Sequence, residues 1–351
     1  MKLAKRLETY AYAVARLRAR KAFLLTSTDY ESLLKASSLK DALLVVSKSP
    51  IYGRYLKGIE EEGIEVVERR LREAYLKLLN EVKLMIRGPT AFFLDSIILK
   101  FELESLKTVL KAKALNIPAS EALKFVIPAG RFTQVKLAEL LGAKDLIRAI
   151  LLIEDEELQK KLLMASEKVK EYGSTLPLEA AIDKHAYMSM SMGIEKLPEL
   201  DREWITKLFG TEIDLKNVVL LVRSYLLKVG LEDYKEYIMI PFFYRVESDD
   251  LIKLLASPTI DALIQALASQ VHYGGLLLKA GRDPATMERE AQRYMVDEYR
   301  KVFMQNPFHM GFIYAFLNLA YLELKNLIAI IVGKHERLPS ETIAELLVSY
   351  R

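Results

Sequence analysis

The segment Asp214-Leu215-Lys216-Asn217-Val218 is the second of three related segments in this chain of 351 residues. The first is Glu102-Leu103-Glu104-Ser105-Leu106, and the third is Glu323-Leu324-Lys325-Asn326-Leu327. Each has an acid, a small polar residue three positions later, and then an aliphatic residue. The three small polar residues are separated by 112 and 109 positions. A pattern that recurs at a nearly constant spacing predicts an internal repeat.

A helix-breaking residue follows each of these small polar residues at the same distance of thirteen positions. The three breakers are Pro118, Gly230 and Pro339. Proline and glycine end helices or start new ones, and an acid or a serine follows each breaker within a few residues. Side-chain acceptors at such positions can satisfy free backbone N–H groups. Each copy is therefore predicted to contain a helix, a turn and a second, capped helix.

A second recurring element lies at residues 30–46, 136–152 and 250–267. In each, a double leucine precedes a short linker and an aspartate that leads a new apolar helix. This order predicts a helical hairpin, and the three aspartates are Asp41, Asp145 and Asp261. Two elements that recur in the same order predict three domains, at residues 1–130, 131–243 and 244–351.

Helical periodicity dominates the rest of the chain. Near the start, apolar residues from Leu3 to Leu17 are spaced four and three apart, which places them on one helix face. Sustained alternation of β-branched and polar residues, which indicates strands, is missing from the sequence. The fold class is therefore predicted to be all-α, with three similar helical domains.

Composition limits the classes of function. The chain has no cysteine, which excludes disulfides and cysteine-ligated metals and fits a reducing compartment. Its 51 basic and 47 acidic residues leave a net charge of only +4, so no strong nucleic-acid interaction is indicated. The N-terminus lacks the pattern of a secretory signal, which favours the cytoplasm. The most apolar stretch, Phe308 to Val332, includes Glu323 and Lys325, and we expect a buried helix pair there.

Catalytic and cofactor motifs are missing from the sequence. No glycine-rich phosphate loop is present, and Gly333-Lys334 is more typical of a helix C-terminus. None of the four histidines has a second histidine at the spacing that places two metal ligands on one helix face. Neither an aspartate-rich magnesium motif nor a nucleophile elbow occurs. We expect no active site, no cofactor and no bound metal.

Basic residues alternate with other residues near the N-terminus, at Arg16, Arg18, Arg20 and Lys21. They are interpreted either as a solvated helix face or as a contact for an acidic protein surface. Nucleic acid is less favoured, since base recognition also needs aromatic platforms or denser charge.

The chain resembles a known family, the C subunits of the archaeal and bacterial A-type and V-type ATPases, whose eukaryotic counterparts are the d subunits. Tyr10-Ala11-Tyr12 and Ser49-Pro50-Ile51-Tyr52 are similar to the family's opening segments, and Leu178-Glu179 to its middle. Asn306-Pro307 and Leu338-Pro339-Ser340-Glu341 follow the family's closing pattern.

This resemblance implies a funnel of three helical domains around a pseudo-threefold axis. Such a protein would be a non-catalytic rotor subunit on the cytoplasmic face of the membrane. Its expected partners are the central-axle subunits and the membrane proteolipid ring, with no small-molecule substrate and no nucleic acid. The residues expected to bind partners are Arg16, Arg18, Arg20 and Lys334.

Two other functions are compatible with parts of the sequence. A helical-repeat scaffold that binds protein or RNA would share the hairpins, although its repeats are usually only about 20–45 residues long. An all-α enzyme is the third alternative, and hydrolytic turnover by the pure chain would indicate it.

Overall fold

The computed structural model describes residues 2–22, 24–58, 62–123, 126, 128 and 130–348. These residues form helices and loops without a β-strand, which confirms the predicted all-α class. A π-helical turn, Tyr234–Ile238, and a 3₁₀ turn, Leu278–Ala280, supplement the α-helices. The α-helices are α1 (Lys2–Lys21), α2 (Ser27–Lys35), α3 (Leu39–Ser47), α4 (Gly53–Leu56), α5 (Ile64–Met85), α6 (Pro89–Ala114), α7 (Ala119–Ala122), α8 (Gln134–Gly142), α9 (Leu146–Leu151), α10 (Glu156–Tyr172), α11 (Leu176–Glu195), α12 (Glu199–Leu226), α13 (Leu231–Asp233), α14 (Ser248–Leu255), α15 (Ile260–Gln270), α16 (Gly274–Leu277), α17 (Pro284–Val302), α18 (Met310–His335) and α19 (Ser340–Leu346).

The helices pack into two compact units. Unit 1 consists of Met1–Ala91, Glu199–Leu208 and Gln292–Arg351, and unit 2 consists of Phe92–Pro198 and Phe209–Ala291. Packing defines these units, whereas sequence similarity defines the predicted domains at 1–130, 131–243 and 244–351. The division into three domains therefore stays a prediction.

Helix α18 forms the centre of unit 1 and packs against α5. The hydroxyl of Tyr75 on α5 donates a hydrogen bond of 3.0 Å to the backbone oxygen of Leu317 on α18. By length and composition α18 could cross a membrane, but 61% of its most apolar window is buried within the protein. The expected helix pair at Phe308–Val332 is wrong, because no helix breaker interrupts this run and one helix spans it.

An apolar core cluster in unit 2 is formed by faces of six helices, α6 to α11. Leu106 on α6, Leu162 on α10 and Leu178 on α11 are fully buried in one cluster. Their burial removes apolar surface from water, which is the main favourable contribution to folding. In the second half of α12, Ile213 and Leu221 are also fully buried.

Three helical hairpins occur where the sequence predicts them, as α2–α3, α8–α9 and α14–α15. The second helix of each hairpin has a side-chain N-cap. A side-chain oxygen of the N-cap residue accepts a hydrogen bond from the backbone N–H three residues later. Asp145 caps α9 itself, whereas Ser38 caps α3 and Thr259 caps α15. Asp41 and Asp261 lie in the first turn of their helices.

The ends of α6, α12 and α18 share one backbone geometry, which we call the helix corner. At each corner a residue other than glycine adopts the left-handed conformation: Asn116 with φ 54°, Lys228 with φ 55° and Arg337 with φ 56°. No other non-glycine residue in the described part of the chain has a positive φ. These three residues are 112 and 109 positions apart, the same separations as Ser105, Asn217 and Asn326.

The hydrogen bonds at the three corners also match. The N–H after each left-handed residue donates to the carbonyl five positions earlier, at distances of 2.8, 2.9 and 2.8 Å. This is the bond that closes a Schellman motif at a helix C-terminus. The donors are Ile117, Val229 and Leu338, and the acceptors are Ala112, Ser224 and Gly333.

Short helices begin directly after each corner, as α7, α13 and α19. Side-chain capping was predicted for them, and this prediction is wrong, since none has a side-chain cap. Their N-cap positions are Pro118, Gly230 and Pro339, which carry no side-chain oxygen. Acidic residues in each first turn still interact favourably with the helix dipole.

The left-handed conformation at Lys228 predicts the effect of a glycine there. This lysine is exposed, and a Cβ atom is disfavoured at positive φ. We expect Lys228→Gly to raise the free energy of unfolding by about 0.5–1 kcal/mol in urea denaturation. Lys228→Ala is the matched control, because it removes the same side chain and keeps the Cβ atom. Equal stabilities of the two variants would contradict the corner geometry.

Candidate functional site

The acid and the small polar residue of each repeated segment are called its markers. Those of the second copy, Asp214 and Asn217, are buried in unit 2 and form hydrogen bonds with backbone groups. The carboxylate of Asp214 accepts hydrogen bonds from the N–H groups of Tyr244 (3.0 Å) and Arg245 (2.7 Å). Asn217 exchanges two hydrogen bonds of 2.9 Å with the backbone of Ile240. Both side chains are fully buried. They fix α12 to the segment that leads into the third hairpin.

The markers of the third copy do the same in unit 1, where the backbone N–H groups that donate to them come from both ends of the chain. Glu323 accepts a hydrogen bond of 2.5 Å from the N–H of Leu25, just before the first hairpin. Asn326 accepts one of 2.8 Å from the N–H of Val348 and donates to the Tyr30 hydroxyl at 3.4 Å. The third acid thus holds the segment before the first hairpin.

In the first copy, Glu102 lies against the segment before the second hairpin. Its carboxylate is 3.7 Å from the guanidinium of Arg131 and packs directly on Gly130. A Cβ atom at Gly130, where φ is 49°, would lie only 1.6 Å from a carboxylate oxygen of Glu102, so a larger residue there would displace this side chain. Ser105 is buried as well. The markers of all three copies therefore lie inside the protein.

Unit 2 also contains a cluster of charges across α6, α11 and α12, which we call the ionic cluster. Asp183 on α11 is its centre, with Lys107 Nζ at 2.5 Å and Lys216 Nζ at 2.9 Å. Lys107 also donates to Glu104 at 3.0 Å. Glu212 accepts from Lys100 at 2.7 Å and from the Tyr187 hydroxyl at 3.2 Å. These bonds hold three helices in one register.

Electrostatics in the ionic cluster favour its charged form. Burial acts to raise the pKa of Asp183, but the ammonium groups of Lys216 and Lys107 outweigh it and hold that pKa below its usual value. Burial acts to lower the pKa of Lys107, and Asp183 and Glu104 overcome it and raise that pKa. The sequence analysis missed this cluster, although Glu104, Lys107 and Lys111 share a helical spacing that places them on one face.

The four residues predicted to bind partners have different surroundings. Arg16 and Arg18 are exposed on α1, and Arg20 is half-buried and paired with Glu81. Lys334 donates hydrogen bonds to the backbone oxygen of Leu34 (2.6 Å) and to the Ser340 hydroxyl (3.3 Å). Lys334 therefore joins α18 to α2 and α19 within unit 1. Arg16 and Arg20 lie together at one pocket, and Arg18 does not line it.

The described histidine, aspartate and glutamate side chains do not cluster in the way that metal ligands do. No group of three or more histidine, aspartate and glutamate side chains in the described ranges could hold a metal ion. His185 lies 3.4 Å from Asp155, and burial lowers its pKa. His309 is buried and stacks on the indole of Trp204, with ring centroids 4.5 Å apart.

Comparison with known proteins gives a consistent result over nearly the whole chain. The family model described as ATP synthase (C/AC39) subunit matches residues 13–346. The C subunit of the A-type ATP synthase of Methanocaldococcus jannaschii is 26% identical over 355 residues, covering 98% of this chain and 87% of the relative. Its counterpart of the same name in Methanothermobacter thermautotrophicus is 24% identical, with 96% and 87% covered. That from Thermococcus onnurineus is 23% identical, with 96% and 89% covered.

The ionic cluster predicts a large loss of stability when its central carboxylate is neutralised. Asp183→Asn leaves Lys216 and Lys107 near a neutral amide in a largely buried site. We expect the free energy of unfolding to fall by about 3 kcal/mol, measured in urea at pH 7. The exposed Asp249→Asn, in the same unit, is the control and should change it by less than about 0.5 kcal/mol. Similar losses in both variants would rule out a stabilising cluster.

Glu323 predicts a pH dependence of stability. Burial raises its pKa to about 7, although the hydrogen bond from the Leu25 N–H and the nearby Tyr52 hydroxyl act in the opposite direction. Between about pH 4.5 and 7 the unfolded chain releases this proton and the native chain keeps it. The contribution of protonated Glu323 is therefore complete below about pH 4.5 and is lost as the pH rises towards 7.

Glu323→Gln removes this titration and keeps an acceptor for the Leu25 N–H. Relative to the original protein, we expect the variant to gain about 2–3 kcal/mol of unfolding free energy between pH 4.5 and 7.5. Urea denaturation across that pH range measures the difference. Glu8→Gln, exposed in the same unit, serves as control. A constant difference between Glu323→Gln and the original protein would contradict the raised pKa.

Proposed function

This chain belongs to the ATP synthase (C/AC39) subunit family, and from that premise we propose that it is a non-catalytic coupling subunit of an A/V-type ATPase or ATP synthase. In this role it links the membrane proteolipid ring to the central axle. It transmits torque between them during ion-coupled ATP synthesis or hydrolysis. The family match over residues 13–346 carries the proposal.

The absence of catalytic motifs from the sequence supports a mechanical role. Torque transmission needs packed helices and complementary surfaces, and it does not require a nucleophile or a phosphate loop. In this proposal the chain is a subunit of a membrane-associated complex, and other subunits of that complex perform the chemistry. Its proposed place is the cytoplasmic face of that membrane.

Rigidity within each unit supports the same role. A long helix can transmit force only if its ends and its register are fixed. The corner hydrogen bonds fix the ends of α6, α12 and α18, and the ionic cluster fixes the register of α6, α11 and α12. Buried carboxylates and amides hold these helices to the hairpin segments. Such contacts resist sliding of one helix along another.

The proposal includes the three domains at 1–130, 131–243 and 244–351 and the funnel that the family resemblance implies. The three matching corners and the three matching hairpins support a triplicated chain. A central socket formed by three similar domains would receive the axle, and the opposite side would rest on the ring.

Reconstitution from purified parts tests the coupling role. The chain is mixed with the axle subunits, with the detergent-solubilised proteolipid ring, and with both, and each mixture is separated by size-exclusion chromatography. We expect a stable ternary complex that contains the chain, axle and ring, because the chain is proposed to bind both. Failure to bind the axle or to bind the ring would overturn the proposal.

Two controls make this result specific. Because α18 has the length and composition of a membrane span, the chain is also run with empty detergent micelles, and binding to them must be absent. A matched sample with RNA in place of the rotor parts tests the scaffold alternative. RNA binding without rotor assembly would favour that alternative.

A further inference from the structure

An open pocket of about 240 Å³ lies in unit 1 between α1, α4 and α5. Three arginines surround it: Arg16 and Arg20 from α1, and Arg54 from α4. We call it the arginine pocket. Its floor is formed by the buried Ala74 and Leu78, one turn apart on α5, and Ala19, Pro50 and Ile51 add further apolar lining. The pocket thus combines an apolar floor with a basic rim.

The charges of this rim are only partly neutralised. Glu81 pairs with Arg20 and lies 4.0 Å from Arg54. Burial acts to raise the pKa of Glu81, but the hydrogen bond and charge of Arg20, with a smaller effect of Arg54, hold it below its usual value. Arg16 has no carboxylate partner within the part of the chain that the structure describes. The three arginines of the rim therefore have one carboxylate, that of Glu81, to balance their charge.

The turn that forms one wall is held in place before any ligand binds. The Ser49 hydroxyl accepts from the N–H groups of Ile51 (3.3 Å) and Tyr52 (3.4 Å), and Tyr52 is buried below the turn. A Cβ atom at Gly53 would lie 2.1 Å from the Ser47 carbonyl oxygen, so only glycine allows this close approach. Arg54 follows directly, and its guanidinium lies 4.9 Å from the centre of the Tyr55 ring.

We propose that the arginine pocket binds an acidic segment of a partner protein, with one apolar side chain on its floor and flanking carboxylates at Arg16 and Arg54. Arginine pairs with carboxylates in a planar, two-bond geometry, which gives direction as well as attraction. The apolar floor takes the side chain between the carboxylates. Arg20 supports the rim through Glu81.

Other ligand classes fit this pocket less well. Small-molecule sites usually occupy about 300–1,000 Å³, so 240 Å³ holds one side chain better than a nucleotide. A bilayer presents a broad surface, whereas a concave pocket is filled by a protruding side chain. This inference does not depend on the proposed coupling role. The pocket can bind an acidic segment whether or not the chain assembles with the axle and the ring.

A labelled peptide tests the proposal directly. The probe is a fluorescein-labelled pentapeptide with one leucine between two pairs of aspartates, and its anisotropy is measured with the full chain at low salt. We expect saturable binding that weakens as salt rises, because rim charges are screened. Peptides with asparagine for aspartate, or with serine for leucine, should each bind roughly tenfold more weakly.

Charge reversal on α1 supplies a matched pair of variants. Arg16→Glu and Arg18→Glu change the net charge equally on one exposed helix, but only Arg16 lines the pocket. We expect Arg16→Glu to weaken peptide binding by about tenfold or more and Arg18→Glu by less than about threefold. Ala19→Trp, at the exposed rim, should also weaken binding by filling the pocket. Circular dichroism verifies that each variant is folded.

Three outcomes would overturn the proposal. One is equal weakening by Arg16→Glu and Arg18→Glu, which would indicate general attraction to a basic helix. Another is equal binding of the aspartate and asparagine peptides. The third is binding to phosphatidylglycerol vesicles without binding to the peptide, which would assign the pocket to a membrane surface. Rotor assembly without peptide binding would remove this proposal and leave the coupling role intact.

Discussion

Buried carboxylates that accept hydrogen bonds from backbone N–H groups hold the long helices to the segments before the hairpins. Asp214 takes two such bonds and Glu323 takes one, and each lies deep in its unit. A buried N–H without a partner would lower the free energy of unfolding by about 1–3 kcal/mol. Each acid therefore determines the path of the segment before its hairpin. The position of each hairpin follows from the position of that segment. The repeated acid is therefore a structural determinant, and its recurrence reflects a recurring connection.

The sequence predicted the parts of this fold that depend on local pattern. The all-α class, the three hairpins and the breakers after α6, α12 and α18 follow from periodicity and from Pro118, Gly230 and Pro339. The left-handed residues at the corners were not predicted, because a glycine usually indicates this conformation and Lys228 and Arg337 stand in its place. The helix pair at Phe308–Val332 was mistaken, since charge within an apolar run does not end a helix when packing can bury it.

Candidate site residues were harder to predict, because exposure and pairing are tertiary properties. Arg16, Arg18 and Arg20 look alike in the sequence, yet Arg20 pairs with Glu81, sixty-one residues away, and Arg18 does not line the pocket. Lys334 was predicted from the sequence to lie at a helix C-terminus and to bind a partner, and the structure shows that it donates to the carbonyl of Leu34 from a distant part of the chain. Asp183 gave no motif, although it joins two lysines on two other helices. Only the packed structure brings these partners together.

The helix corners restrict where the chain can change length during evolution. Eleven positions separate each of Ser105, Asn217 and Asn326 from the left-handed residue that ends its helix. One inserted residue between them would rotate the rest of the helix by about 100° around its axis, so that the corner would no longer keep its position relative to the buried polar side chain. The two repeat lengths of 112 and 109 residues differ by three, and this difference must lie outside the repeated helix and corner. Insertions and deletions among related chains should therefore collect in the connections between hairpins, and alignments that place gaps within the last three turns of α6, α12 or α18 would be physically unreasonable.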